Sequence, residues 1–411
     1  MISTERFEKV PIDKLVPYAR NARTHSKEQI LQLRSSLREF GFVSPCIITG
    51  DMTILAGHGR ILAAKEEGYT EIPCVFAEHL TEAQKRAYII ADNQISLNAG
   101  WSEDMLAVEL SDLQSSAFDL SILGFSDNEL NKLLGTADDV SDDDFDVDKA
   151  ANEPPFVRLG DLWSLGRHRL LCGDATNATD VSHLMNGNKA NMCITDAPYN
   201  VSYVGSKGMT IKNDKMKSED FYKFLYAAFK NVFDSLVDGG AFYAFHSDSE
   251  KVNFYNATEA AGFHYSTTCI WRKNSLVLGR SDYQQIHEPI IYSFKPGGHK
   301  WYSDRRQVTV WDFNRPTKND IHPTMKPVPL IAYPIQNSSA PNGIVLDVFS
   351  GSFATGIACE QINRVCYALE LDEKYASASI KRFIQYVGTA DGVSVERDGE
   401  TLKYEDVIQG V

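Results

Sequence analysis

The chain has 411 residues, a formal net charge of −14, 43% hydrophobic and 23% charged residues, which suits a globular protein of two or three domains with ample core. Its seven scattered cysteines (46, 74, 172, 193, 269, 359, 366) show no C-x-x-C and no paired Cys/His spacing, which excludes a disulfide framework and a structural zinc and fits a reducing cytoplasm. No apolar run approaches about 18 residues and M-I-S-T-E-R-F-E-K reads as no signal peptide, so a cytoplasmic protein without a metal is expected.

The first part of the chain alternates strands and helices. Val10-Pro11-Ile12 and Cys46-Ile47-Ile48 read as short strands. Ser26 caps a helix whose apolar stripe is Ile30, Leu33, Leu37 and Phe40, and Gly41 ends it. The strand Ile54-Leu55-Ala56 then runs into G-H-G-R at 57–60 and a helix from Ile61 to Glu67. A small-residue turn before a helix exposes backbone N–H groups that bind anions, and Arg60 would add a charge-assisted contact. A tight turn with a surface Arg60 fits the same residues.

An acidic run follows. Asp138, Asp139, Asp142, Asp143, Asp144, Asp146 and Asp148 repel one another and carry few apolar neighbours, so residues 137–151 read as a solvated acidic linker between 1–136 and 152–411. Beyond it, Asp174 in L-L-C-G-D-A-T has the character of a ligand contact or of a helix N-cap. The run Met192-Cys193-Ile194 reads as a buried strand, and T-D-A-P-Y-N at 195–200 closes it. Such a closure is either a plain β-turn or a pocket that grips a flat, amino-bearing base.

The segment V-G-S-K-G-M-T-I-K-N-D-K at 204–215, with Lys207, suits a loop that closes over a ligand. Between Trp271 and Lys318 stand nine Lys/Arg against four acids, interleaved with Trp271, Tyr283, Tyr292, Phe294, Trp301, Tyr302, Trp311 and Phe313. H-E-P-I-I-Y-S-F at 287–294 reads as a core strand, so many of these aromatics pack inside. Arg272, Lys273, Asn274, Arg280, Arg305, Arg306 and Arg315 are the candidates for phosphate and base-edge contacts.

The last third has a strand–turn–helix–strand pattern. Ile344 to Leu346 is a strand closed by Asp347, and Phe349-Ser350-Gly351-Ser352 is a small-residue turn. After a helix, Val365 to Leu369 is a strand closed by Glu370. A carboxylate at the tip of the second strand can take both hydroxyls of a ribose. The turn lacks G-x-G-x-x-G, so a nucleoside without phosphates suits it better than a pyrophosphate.

These stretches resemble two families. V-P-I-D-K-L-V-P-Y-A-R-N-A-R-T-H, F-G-F-V-S-P, I-L-A-G-H-G-R and A-D-N-Q-I-S-L-N-A-G-W, within residues 8 to about 115, look like a ParB/sulfiredoxin-like domain. That resemblance implies a nucleotide or DNA contact at Gly57, His58, Gly59 and Arg60. D-A-P-Y, D-V-F-S-G-S-F, H-P-T-M-K-P at 322–327 and L-E-L-D-E-K-Y at 369–375 resemble the motifs of an S-adenosylmethionine-dependent DNA amino-methyltransferase, of the adenine-N6/cytosine-N4 type. The catalytic motif precedes the cofactor motif, which is similar to the β group of these enzymes.

The resemblance implies an α/β fold: a Rossmann-like methyltransferase domain with a mixed, mostly parallel sheet, plus a smaller α+β ParB-like domain. It makes Asp196, Ala197, Pro198 and Tyr199 the catalytic residues. Asp347, Phe349, Gly351, Ser352, Glu370, His322, Thr324, Lys326 and Asp174 become the contacts of S-adenosylmethionine. About 268–320 becomes the target-recognition region.

The implied partner is double-stranded DNA, with a homodimer and a nucleotide at the N-terminal domain as further partners, in a restriction-modification setting. An Asp at the head of the motif tilts toward adenine N6, with cytosine N4 or RNA as the alternative target. A nucleotide-gated DNA-binding protein with a degenerate methyltransferase domain is the alternative of another class. Two departures stand out: Ala197 replaces the family's first proline, and Phe353-Ala354 replace its Gly-Thr, a change that can narrow the methionine pocket or weaken cofactor affinity.

Overall fold

Apolar residues recur with period two in the short runs of residues 7–76 and with helical period between them, and both patterns are realised. A computed structural model describes residues 6–20, 23–116, 118–135, 140–200, 215–277, 282–314 and 325–409. The chain divides into two units, Met1–Leu106 with Ala117–Leu130, and Ala107–Ser116 with Asn131–Val411.

In the first unit, β1 (Phe7–Pro11), α1 (Lys27–Phe40), β2 (Cys46–Ile48), β3 (Ile54–Ala56), α2 (His58–Glu66), β4 (Glu71–Phe76) and α3 (Glu82–Leu97) follow one another. The strands form a four-stranded sheet in the order β1-β4-β2-β3. Ser26 caps α1, its side chain accepting from the Gln29 N–H at 3.1 Å. Ile30 and Leu37 of the expected stripe are buried, whereas Phe40 is 46% exposed and stacks on Phe118. The second helix starts at His58, three residues earlier than its apolar pattern suggests. Gly57 holds φ at +97°, and a Cβ there would approach the Cys46 sulfur to 2.6 Å, so glycine lets the strand turn into the helix at once.

Two helices, α4 (Glu103–Ser115) and α5 (Asp127–Leu134), run across the division in sequence. The second unit continues with α6 (Val147–Ala151), β5 (Leu162–Leu165), β6 (His168–Cys172), α7 (Ala178–Met185), β7 (Ala190–Thr195), α8 (Ser218–Ser235), β8 (Leu236–Phe245) and α9 (Lys251–Ala261). Then come β9 (His264–Val277), β10 (Gln285–Phe294), β11 (Val310–Asp312), α10 (Val328–Ser338), β12 (Ile344–Asp347), α11 (Ala354–Gln361), β13 (Val365–Glu370), α12 (Glu373–Val387), β14 (Val393–Arg397) and β15 (Glu400–Lys403).

The strands form an eleven-stranded sheet in the order β11-β9-β10-β8-β7-β12-β13-β6-β5-β14-β15. Its centre, β8-β7-β12-β13-β6, is parallel throughout, and antiparallel hairpins extend both sides. Parallel strands are buried on both faces, and alternate residues here do enter separate cores. Met192, Ile194, Val345 and Cys366 pack with α10, α11 and α12. Cys193, Leu346 and Leu369 pack with α7, α8 and α9. From β7 the chain proceeds to β8 on one side, and from β12 it proceeds to β13 on the other. The crevice between the carboxyl ends of β7 and β12 is therefore the switch point where an open α/β sheet binds ligands. No helix among the described residues is long and apolar enough to cross a membrane.

The acidic run departs from the expected solvated linker. Among its described residues, Asp142 accepts from the Val328 N–H at 2.7 Å. Asp143 pairs with Arg382 at 2.7 Å, and that arginine's side chain is 1% exposed. Val147, Ala150 and Ala151 pack against Ala378. Self-repulsion is offset here by a buried cation and a helix N-terminus, both far away in sequence.

Candidate active site

Strand β7 delivers Asp196 to the switch-point crevice, and the turn that follows folds Tyr199 back over it. The Tyr199 hydroxyl donates to Asp196 Oδ1 at 2.7 Å, while Lys326 Nζ donates to Asp196 Oδ2 at 2.6 Å. Lys326 also reaches Glu288 Oε2 at 3.1 Å, and its ammonium lies over the rings of Tyr199 and Phe245. Glu288 Oε1 accepts from Lys273 Nζ at 2.5 Å. Two carboxylates, two ammonium groups and one phenol thus share one enclosed cluster.

Burial decides the electrostatics. It pushes the Asp196 carboxyl above its ordinary value, Lys326 opposes the shift, and Glu288 adds to it. Burial works against the Lys326 charge too, but Asp196 and Glu288 outweigh it and lift the ammonium above its usual value. Burial likewise disfavours the Glu288 charge, yet Lys326 and Lys273 prevail and bring it down to about 2. Tyr199 is raised well above its ordinary value by burial and the nearby carboxylates, and stays a phenol. Asp196 nevertheless keeps 31% of its side chain open to the crevice, so an incoming group can reach it. Asn200, at φ +57°, bonds both the N–H and the carbonyl of Met216.

The neighbouring strand tips carry the other two acids. Asp347 Oδ1 accepts from Thr195 at 2.9 Å and Oδ2 accepts from Thr355 at 2.6 Å, which locks the tips of β7 and β12 together. Burial raises Asp347 to about 6. Glu370, at the tip of β13, accepts from the Gly351 N–H and the Asp372 N–H, each at 2.8 Å. Burial raises it to about 7. Each Glu370 oxygen keeps a lone pair for a further donor.

The turn between them fits a nucleoside. Gly351 holds φ at +52° with open space where a side chain would stand, and the buried Ser350 hydroxyl lacks a protein partner. Phe349 edges the turn, against Phe224. The Ser352 carbonyl is held by Arg382 at 2.7 Å. These residues offer an apolar edge, an unfilled cradle and a carboxylate acceptor, which is what a ribose and a flat base require.

The DNA methylase family model matches residues 190–381, the ParB-methyltransferase HTH domain model residues 104–159, and the ParB N-terminal domain model residues 1–93. The chain is an amino-methyltransferase with an N-terminal ParB-like domain. The ParB-like nuclease domain-containing protein YnaK of Escherichia coli (strain K12) is 43% identical over 76 residues, 18% of this chain and 87% of that protein. The DNA adenine methyltransferase YhdJ of Escherichia coli (strain K12) is 25% identical over 225 residues, 46% of this chain and 75% of that one. The Type II methyltransferase M.SmaI of Serratia marcescens is 29% identical over 146 residues, 31% of this chain and 49% of that one. A crystal structure of an M1.HpyAVI–SAM complex is similar at 25% identity and a TM-score of 0.40, covering 52% of this chain and 98% of that one.

In this amino-methyltransferase the remaining candidate residues fall into three groups. Lys326, expected at the cofactor's methionine end, places its ammonium on Asp196. Asp174 serves a local turn, accepting from the N–H and hydroxyl of Thr176, each at 2.8 Å. Phe353 has φ +65° and is fully buried, edge-on to His168 and Phe383. Its ring packs into the core against Gly356.

Of the candidate DNA contacts, Lys273 is a correction. Its side chain is 5% exposed and pairs with Glu288, because the strand alternation of β9 turns it inward. Arg272 points out but forks onto Asp312 of β11. Asn274, Arg305 and Arg306 are exposed. Lys207, Arg280, Arg315, His322 and Thr324 lie outside the described residues. In the N-terminal domain, Arg60 donates to the Ser44 carbonyl at 2.5 Å, and the buried His58 Nε2 has no protein partner.

The sequence pattern passes over Glu288, Lys273 as an inner residue, Thr195, Thr355 and Arg382. Glu288 does leave a signal: it is an acid inside the otherwise apolar strand H-E-P-I-I-Y-S-F.

Proposed function

We propose that this protein methylates the N6 amine of adenine in double-stranded DNA, taking the base out of the helix to do so. The observation that carries the proposal is the Asp196 carboxylate, oriented by Tyr199 and Lys326 and open to the crevice beside the cradle at Gly351. An exocyclic amine is a weak nucleophile because its lone pair is delocalised into the ring. Asp196 Oδ1 and the Ala197 carbonyl can accept its two N–H bonds and favour a more tetrahedral nitrogen. Pro198 fixes the turn, and the Tyr199 ring offers a face for stacking. A base within a duplex cannot reach this crevice, so it must be extruded at a cost of a few kcal/mol.

The cofactor is S-adenosylmethionine, and when bound it supplies an electrophilic methyl group. Glu370 would take its ribose hydroxyls, Gly351 and Ser350 would line the nucleoside, and Phe349 would flank the base. Asp347 shapes the turn through Thr195, Thr355 and the Phe349 N–H. Arg305, Arg306 and Asn274 are the exposed candidates for DNA contact, and the turn at Gly57 to Arg60 is the candidate for a nucleotide or DNA phosphate in the N-terminal domain. Residues 1–136 and 152–411 are proposed as the two domains, with a homodimer and a cytoplasmic setting as expectations of the family.

The test is incubation of the full chain with S-adenosylmethionine and unmethylated DNA of mixed sequence, followed by digestion and identification of nucleosides by mass. N6-methyladenine is the expected product, and Asp196→Ala should lower its rate at least about 100-fold. N4-methylcytosine instead would keep the mechanism and overturn the base.

A further inference from the structure

The two oxygens of Asp196 are both engaged, Oδ1 by the Tyr199 hydroxyl and Oδ2 by Lys326. Each keeps a second lone pair, but an amine that comes to one of them shares the oxygen with the donor already there and gains the full acceptor only when that donor turns away. Lys326 is a poor candidate for displacement. It is 8% exposed, bound at 2.6 Å, and moving its ammonium would strand a charge in an enclosed site. The phenol is the better one, provided that its proton has somewhere else to go. Glu288 Oε2 stands 3.3 Å from the same hydroxyl oxygen.

We propose that Glu288 is a positioning residue for methyl transfer: it clamps Lys326 onto Asp196 Oδ2 and takes over the Tyr199 hydroxyl, so that Asp196 Oδ1 is released to the substrate amine. The inference rests on the function proposed above. A phenol has one proton, which can turn about the C–O bond from one acceptor to another, so the exchange needs no movement of the ring. Without Glu288 the released phenol would be a buried donor with no acceptor, which opposes binding of the amine.

The geometry also explains why a second acid tolerates this position. Glu288 lies between two ammonium groups, Lys326 at 3.1 Å and Lys273 at 2.5 Å, and only 18% of its side chain is exposed. Lys273 thereby gains a role. It holds Glu288 on β10 from the neighbouring strand β9, across the register that pairs Glu288 with Trp271. The charged and titratable groups facing Lys326 are Asp196, Glu288 and Tyr199, with Lys273 behind Glu288 and Asp347 behind Asp196.

The experiment compares wild type, Glu288→Gln and Glu288→Asp as full-length proteins. It measures kcat and KM for DNA, equilibrium affinity for S-adenosylmethionine in the absence of DNA, and the pH dependence of kcat. Glu288→Gln should lower kcat about 10- to 100-fold with cofactor affinity unchanged. Its rate should also fail at lower pH than wild type, because Lys326 loses one of the two carboxylates that hold its proton. Glu288→Asp keeps the charge, so it should restore the wild-type alkaline limb and part of the rate. In a Tyr199→Phe background Glu288→Gln should cost less, since there is no phenol to receive.

Wild-type kcat and pH profile in Glu288→Gln would overturn the inference. So would parallel losses of kcat, cofactor affinity and melting temperature, the pattern of a purely structural residue. A wild type that methylates neither adenine nor cytosine would remove the proposed function, and this inference with it.

Discussion

Glu370 shows what the ribose-binding role proposed for it costs the protein that carries it. Its carboxyl is held at about 7 by burial, against an ordinary value of 4.5. A carboxyl whose value rises on folding favours the folded state while protonated. That advantage is complete below about 4.5 and is lost as pH rises through about 7. Asp347, raised to about 6, works in the same direction over a lower window. At pH 8 the cofactor-free protein therefore holds two reluctant anions at adjoining strand tips. Glu370→Gln removes the anion but also one backbone N–H bond, since its amide nitrogen cannot accept, so relative to wild type the cofactor-free protein should gain on the order of 2 kcal/mol of stability between pH 4.5 and pH 8. The same change should weaken S-adenosylmethionine binding, because one ribose acceptor becomes an amide. Thermal unfolding at both pH values, with and without cofactor, checks both statements. The same pH dependence of melting temperature in variant and wild type would show that the backbone N–H bonds from Gly351 and Asp372 already satisfy the anion.

Elements explain which parts of this site a sequence can display. The acids at 196, 347 and 370 are legible because each directly follows an apolar strand, and strand, turn and acid are neighbours in the chain. The fold of the parallel centre is legible for the same reason. Lys273, Glu288 and Arg382 are not, because their partners lie 15, 38 and 239 positions away or are reached only across the sheet. A lysine in a basic stretch looks like a phosphate contact until strand alternation turns it inward, and an acidic run looks solvated until a buried arginine meets it.

Phe353 is intermediate. Its departure from the family's glycine is visible, but its direction is not. As the residue before α11 it holds φ at +65°, a conformation that costs a side chain about 1 kcal/mol and a glycine almost nothing. Its fully buried ring contributes about 3–5 kcal/mol of packing in return. Phe353→Gly should therefore destabilise the protein by about 2–4 kcal/mol while leaving cofactor affinity near wild type, measured by denaturant unfolding and by calorimetric titration. A gain in cofactor affinity would mean that the ring reaches the pocket after all.

At the scale of the whole molecule, the question is how a chain of charge −14 holds a polyanion. Attraction to phosphates must be local, because the field of the whole protein opposes the approach of DNA. The cationic stretch between β9 and α10 offers less than its count suggests. Lys273 is spent on Glu288 and Arg272 on Asp312, while Arg305 and Arg306 remain exposed, the Arg306 side chain at 93%. Among the described residues of this stretch few cations point outward, so few counterions are expected to leave through it when DNA binds. The logarithm of the binding constant should then fall with the logarithm of salt concentration at a slope of about −3 to −4, well short of the about −10 reached by a protein that neutralises some ten phosphates. Substituting Arg305 and Arg306 together by alanine should make that slope shallower by about 2, and fluorescence anisotropy on a duplex across a salt series reads it directly. A slope that is steep in wild type and unmoved by the double substitution would place the phosphate contacts elsewhere in the chain. A shallow slope that responds to it would mean that affinity comes mainly from the extruded base and the groove, the part of the interface that net charge does not oppose.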